Sequence, residues 1–215
     1  MLRSGTTGEP PAAEVAMNQR FDPQVPYRLA ELEPGMAVPA EVFLDWVETQ
    51  EGKYEYDRGT IGMMVRVTRN HSRLVSSFVY LLSRALEAKP VEVHAEAFAV
   101  HTEDSIRFPD ILVQEPEPDG GALASKAPLL IVEVLSPSSL YADHVIKRDE
   151  YLDLPTLQAY VVADPNAANL TVWERGETGA FPDAPLVVEG LGATLTLREL
   201  GLSLPLAELY RGVSL

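Results

Sequence analysis

Glu133 lies inside "LLIVEVLSPSS" (129–139), between Ile131–Val132 and Val134–Leu135. A carboxylate taken out of water costs several kcal/mol unless it is paired, protonated or bound to a cation. A second acid, Asp110, follows Pro109 and opens the apolar run Ile111-Leu112-Val113. Proline holds the residue before it extended, so Asp110 is expected at the start of a strand, as Glu133 is near the end of another. If those strands are neighbours, the two acids meet at one edge of a sheet. Such a pair persists when one member is protonated or when a divalent cation lies between them.

Strand parity puts Leu135, which carries no charge, on Glu133's side, so a balancing cation must come from elsewhere. The next helix offers one. Asp143, Lys147 and Tyr151 are spaced four apart and share a face, and a helix lying back over the strand would bring Lys147 toward Glu133. Glu55, between two tyrosines in "KYEYD", is a third acid. Glu55, Asp110 and Glu133 would form an all-oxygen ligand set suited to Mg²⁺ or Mn²⁺. Each residue also has a plainer reading. Glu133 could pair with an arginine or be capped by backbone amides, Asp110 could cap a turn, and Glu55 could pair with Lys53 or Arg58. Lys147 could be one charge on a solvated helix face, and His71 a helix-start residue bonded locally.

The elements that must position these groups follow from pattern. Residues 1–35 read as a flexible tail rich in Pro, Gly, Ala and Glu, and 36–215 as one domain. "PAEVFLDWVETQ" predicts a helix with Pro39 at its start, and "KYEYDRGTIGMMVRV" two strands around a turn at Asp57-Arg58-Gly59. "NHSRLVSSFVYLLSRALEA" predicts the strongest helix, with Asn70 as N-cap. Its stripe of Phe78, Leu81, Leu82 and Leu86 reads as core or as a dimer surface, so a homodimer is one assembly the sequence allows. "VEVHAEAFAVHT" and "SIRFPDILVQE" are β-rich. A helix follows "LLIVEVLSP", capped by Ser138 or Ser139. "LQAYVVAD" and "NLTVWERG" predict strands joined at Asp164-Pro165-Asn166, and the tail a short strand pair and a helical turn at Ala207 to Tyr210. This order predicts an α/β or α+β domain with a mixed central sheet flanked by helices.

Taken in order, "KYEYDRG", "RNHSRLVSSFVYLLSRAL", "RFPDILV", "LIVEVLSPSS", "DHVIKRDEYL" and "YVVADP" resemble the Uma-two family of restriction endonucleases, small bacterial members of the PD-(D/E)XK nuclease superfamily. The resemblance covers roughly residues 38 to 210 and implies a restriction-endonuclease-like core. It makes Asp110 the aspartate of the PD motif and Glu133 the acid of the (D/E)XK half-motif. Leu135 stands where the usual lysine would be, and Lys147 takes over from the next helix. Glu55 matches an acid from the N-terminal element, and His71 a histidine at the start of the long helix. Asp143 and Tyr151 would position Lys147. The implied activity is Mg²⁺- or Mn²⁺-dependent endonucleolytic hydrolysis of DNA. Two stretches depart from the common pattern, "YEYDRG" at Tyr56-Asp57-Arg58 and "VADP" in place of "VDP".

Bulk properties bound this reading. The 215 residues carry a formal net charge of −15, which counts against tight, unassisted binding of a polyanion, although bound cations and a local basic patch can invert the field at one site. That balance and the missing in-strand lysine motivate the alternative, a nuclease-like fold that has lost robust cleavage and serves as a binding or homodimeric assembly module. A small-molecule hydrolase is disfavoured, since there is no Gly-X-Ser-X-Gly elbow, P-loop or HExxH. The absence of cysteine excludes disulfides and thiolate metal sites and suits a cytoplasmic protein. No apolar run reaches the ~20 residues of a membrane helix.

Overall fold

The computed structural model describes residues 29–52, 54–63, 67–95, 98–136 and 141–215, with the side chains of 141–144 excepted. The chain divides into two units, Met1–Met63 and Met64–Leu215. The expected tail falls mostly outside the described residues, as do Ser138 and Ser139, the expected caps.

In the first unit, helix α1 (Ala40–Val47) is entered through Pro39, whose extended backbone suits the position before a first turn. Its buried Phe43 and Trp46 meet the rings of Tyr56 and Tyr54, with centroids 5.4 and 4.7 Å apart. Those tyrosines belong to β1 (Tyr54–Asp57), which forms the expected hairpin with β2 (Thr60–Met63). Arg58 and Gly59 make the turn with φ of 43° and 90°. Positive φ at both central positions gives the backbone twist that a two-residue hairpin favours, and glycine adopts it without strain.

The second unit is built on a six-stranded sheet in the order β11-β10-β9-β8-β6-β3. These strands are β3 (Glu92–Ala95), β6 (Ile111–Gln114), β8 (Pro128–Val134), β9 (Ala159–Ala163), β10 (Asn169–Glu174) and β11 (Leu186–Glu189). β8 runs antiparallel to β6 and parallel to β9, so the sheet is mixed, as expected. A smaller ladder joins β4 (Ala99–His101) to β5 (Ile106–Arg107) and β7 (Ala124–Ser125). β12 (Thr194–Leu197) and β13 (Leu202–Pro205) pair near the C-terminus, ahead of the one-turn helix α4 (Leu206–Leu209).

Two helices cover the sheet. The apolar stripe of α2 (Arg69–Ala85) buries Leu74, Val75 and Phe78 in one cluster with Ile111, Val113, Leu130, Val132 and Val161. The Phe78/Leu81/Leu82/Leu86 stripe is therefore core. On the opposite face, Tyr151 of α3 (Tyr141–Leu152) packs with Leu112, Ile131 and Tyr160. Alternate residues of β8 thus serve opposite helices, which accounts for its unbroken apolar run.

Two details correct the sequence reading. The N-cap of α2 is Thr68, whose side chain accepts the His71 N–H at 3.2 Å, while Asn70 donates to the Pro165 and Ser214 carbonyls. Both residues are good caps, and the one that precedes the first helical residue wins. Thr68→Ala is expected to cost about 1 kcal/mol, read as a lower urea midpoint with an unchanged m-value. The tail also supplies one strand more than expected, because β11 adds itself to β10 at the edge of the main sheet.

Candidate active site

The pairing of β6 with β8 sets the site. Ile111 lies opposite Val132, so one step outward the register puts Asp110 opposite Glu133. Opposed positions of antiparallel strands hold their Cβ atoms about 5 Å apart, close enough for two carboxylates to share one ligand or one proton. The two acids therefore meet where the apolar runs of their strands lead them.

The protein supplies donors to each. Asp110 Oδ2 accepts the Val134 N–H at 2.7 Å, so the side chain stands in for a ladder partner where β6 has not begun. His71 Nε2 lies 3.2 Å from the same oxygen. The cap at Thr68 holds the first turn of α2 and with it this imidazole, which is only 2% exposed. Nδ1 of that ring has no hydrogen-bond partner among the described residues. Glu133, 7% exposed, accepts the Tyr151 hydroxyl on Oε1 at 3.1 Å. Helix α3 does lie back over β8, as its spacing suggested.

Tyr151 is fully buried. Burial first, and then the neighbouring Glu133 carboxylate, push its hydroxyl well above the usual 10, so it stays a donor to Glu133. A raised tyrosine pKa means that the folded chain keeps a proton the unfolded chain releases. The resulting stability is complete below pH 10 and is lost as pH rises toward the folded value. Tyr151→Phe should remove up to ~1.4 kcal/mol per pH unit from the alkaline fall in stability, measured by urea unfolding at a series of pH values above about 10.

Lys147 is half-buried one turn before Tyr151 on the same helix face. The side chain of Asp143 lies outside the described residues. Glu55 is on β1 of the first unit, half-buried and in register with Gly62.

Two residues that the sequence reading passed over tie α3 down. Arg107, 1% exposed on β5, makes a two-pronged ion pair with Glu150: Nε to Oε2 at 2.8 Å and Nη2 to Oε1 at 2.9 Å. Ser105 Oγ adds a bond to Oε1 at 3.1 Å. Glu150 directly precedes Tyr151, so this buried pair fixes the rotation of the helix that presents Tyr151 and Lys147. The only signal in the sequence is an arginine between Ile106 and Phe108, a position where a strand expects an apolar residue.

No three carboxylates or histidines gather to hold a metal ion among the described residues. The acid pair still fits a hard cation chemically. Both groups are anionic oxygen donors, and Asp110 Oδ1 accepts no hydrogen bond among the described residues. Mg²⁺ is commonly held by one or two carboxylates and completes its shell with water and substrate phosphate. No helix among the described residues is long and apolar enough to cross a membrane.

Comparison with known proteins bears on family and fold. The uncharacterized protein slr1290 of Synechocystis sp. is 27% identical over 177 residues, covering 81% of this chain and 92% of its own. A second uncharacterized Synechocystis protein, sll1609, is 29% identical over 130 residues, 58% of this chain and 73% of its own. The fold is similar to that of a crystal structure described as a "putative nuclease belonging to DUF820" from Anabaena variabilis ATCC 29413. Its TM-score is 0.65 at 18% identity, over 80% of this chain and 98% of that one. Residues 40–207 match the family model Uma2, whose description is "Putative restriction endonuclease". The chain belongs to the Uma2 family.

Proposed function

We propose that this protein is a divalent-metal-dependent endonuclease that hydrolyses phosphodiester bonds of DNA, with Mg²⁺ or Mn²⁺ as its cofactor. What supports the reading is the opposition of Asp110 and Glu133 at one end of neighbouring strands, backed by His71, the Val134 N–H and Tyr151. A cation held by these two carboxylates would act as a Lewis acid on the scissile phosphate and lower the pKa of an attached water. In the reaction water adds to phosphorus, the bond to the leaving oxygen breaks, and that oxygen takes up a proton. Lys147 orients the attacking water or stabilises the charge that builds on the phosphorane-like transition state. His71 and the Val134 N–H hold Asp110 in place, and Tyr151 holds Glu133.

The protein's own donors also favour a second reading. Asp110 Oδ2 and Glu133 Oε1 each accept a hydrogen bond from the protein itself, which suits a fold that keeps its acids for structure and acts as a binding or homodimeric assembly module. One experiment separates the two. Plasmid and single-stranded DNA are incubated with Mn²⁺ and wild type, Asp110→Ala, Glu133→Ala or Lys147→Ala, with Glu55→Ala included to test the acid of the first unit. Cleavage by wild type, lost in the first three variants, supports the endonuclease. Wild type that cuts neither substrate while remaining folded supports the module.

A further inference from the structure

The polar face of α2 carries a groove that the acid pair does not use. Arg73, Ser76, Ser77, Tyr80 and Arg84 are spaced by three or four residues, so they line one side of the helix, away from Leu74 and Phe78. Arg211, after α4, closes the opposite wall beside Glu208, and the cavity measures about 370 Å³. Three arginines thus face one glutamate on a chain whose formal net charge is −15. Arg73, Arg84 and Arg211 are exposed, and none forms an ion pair with a carboxylate among the described residues. Ser76 and Ser77 donate their hydroxyls back to the Ser72 and Arg73 carbonyls, and Arg73 Nε donates to the Arg211 carbonyl at 3.2 Å, which leaves the remaining guanidinium N–H groups as the groove's main donors. Tyr80 is 61% exposed at its centre.

We infer that this groove is a binding track for a single nucleic-acid strand. The inference rests on the nuclease reading above. Arg73 and Arg84 are eleven positions apart, about 16 Å along the helix, long enough to meet more than one phosphate of a single strand. Unneutralised guanidinium groups at that spacing match phosphates. An exposed tyrosine between them offers a surface for an unstacked base, which a duplex does not present. A local basic stripe of this kind is what a strongly acidic chain needs to hold a polyanion.

The test is fluorescence anisotropy of a labelled oligo(dT) and of a matching duplex, with EDTA present, between about 50 and about 200 mM salt. Wild type is compared with Tyr80→Ala and with the triple variant Arg73→Gln/Arg84→Gln/Arg211→Gln. Arg84→Glu is included because the Arg84 side chain makes no hydrogen bond or ion pair among the described residues, and urea unfolding confirms that the variant is folded before it is used. Wild type should prefer the single strand. The triple variant should lower the salt slope of log K by about 2, from three contacts at ~0.7 each. Tyr80→Ala should weaken binding about tenfold. Oligo(dT) binding that is unchanged in the triple variant and in Arg84→Glu overturns the track and leaves the nuclease reading standing. Duplex binding as tight as single-strand binding, with Tyr80→Ala silent, overturns the assignment to a single strand. If the triple variant changes only the oligomeric state, the groove is a contact between copies and the inference fails. Wild type that neither binds oligo(dT) nor cuts DNA with Mn²⁺ removes the nuclease reading, and this one with it.

Discussion

Glu133→Gln is expected to lower Mn²⁺-dependent DNA cleavage by ~10²–10³-fold or more while leaving the metal-free protein as stable as wild type, or slightly more so. Two effects set the sign of the stability change. The carboxylate is 7% exposed, and an ion in that position costs several kcal/mol, so neutralising it removes a penalty. It accepts the hydrogen bond from Tyr151, and the glutamine oxygen can accept the same bond. Glu133→Ala differs, because it strands a fully buried hydroxyl at about 1–3 kcal/mol and leaves a void beside it. The gap between Gln and Ala in urea unfolding therefore measures the Tyr151 bond. Loss of cleavage in both measures the charge. A glutamine variant that is markedly less stable than wild type without metal would mean that the carboxylate has a structural cation partner.

The second large effect is expected at Arg107. Arg107→Ala removes a guanidinium that is 1% exposed and leaves Glu150, itself 15% exposed, without its two-pronged partner. An uncompensated, largely buried carboxylate typically costs 3–5 kcal/mol, a large part of the ~5–15 kcal/mol that holds a domain together. The change should appear as a lower melting temperature and a lower urea midpoint. Arg107→Met/Glu150→Leu should recover most of the loss, since replacing a buried pair by apolar groups of similar volume is often neutral. Cleavage should fall in Arg107→Ala because Glu150 sets the rotation of α3 beneath Tyr151 and Lys147. Full cleavage by the single variant, at a temperature where it is folded, would separate the ion pair from the site.

The acid pair was legible in the sequence because it broke a pattern. Glu133 interrupts an apolar strand and Asp110 follows a proline, so each position had to be explained, and strand parity then limited what could answer it. The contact between α3 and β8 was legible from the four-residue spacing that ends at Tyr151. Arg107 and Glu150 were not, since 43 residues separate them and each reads singly as an ordinary surface charge. The choice between Thr68 and Asn70 as cap turns on where the first helical hydrogen bond forms, which residue preference alone does not decide. The stretch from Ala184 was read as a strand pair where three strands form, because Leu186 and Val187 of β11 are exposed and it lacks the inward-outward alternation that marks a half-buried strand. The arginines of α2 were overlooked for a related reason. The apolar stripe explained the helix, and the opposite face needed Arg211, far along the chain, to become a groove.

The most direct test of the central claim is calorimetric titration of Mn²⁺ into the metal-free protein, with Asp110→Asn and Glu133→Gln alongside. One site on wild type, lost in both variants, with the melting point rising by the linkage expected of that affinity (about 2.7 kcal/mol of added stability at 100 times Kd), is the predicted result. Equal heats for all three proteins, or no heat for wild type, would contradict it and leave Asp110 and Glu133 as acids held by the protein's own groups, His71, Val134 and Tyr151 among them.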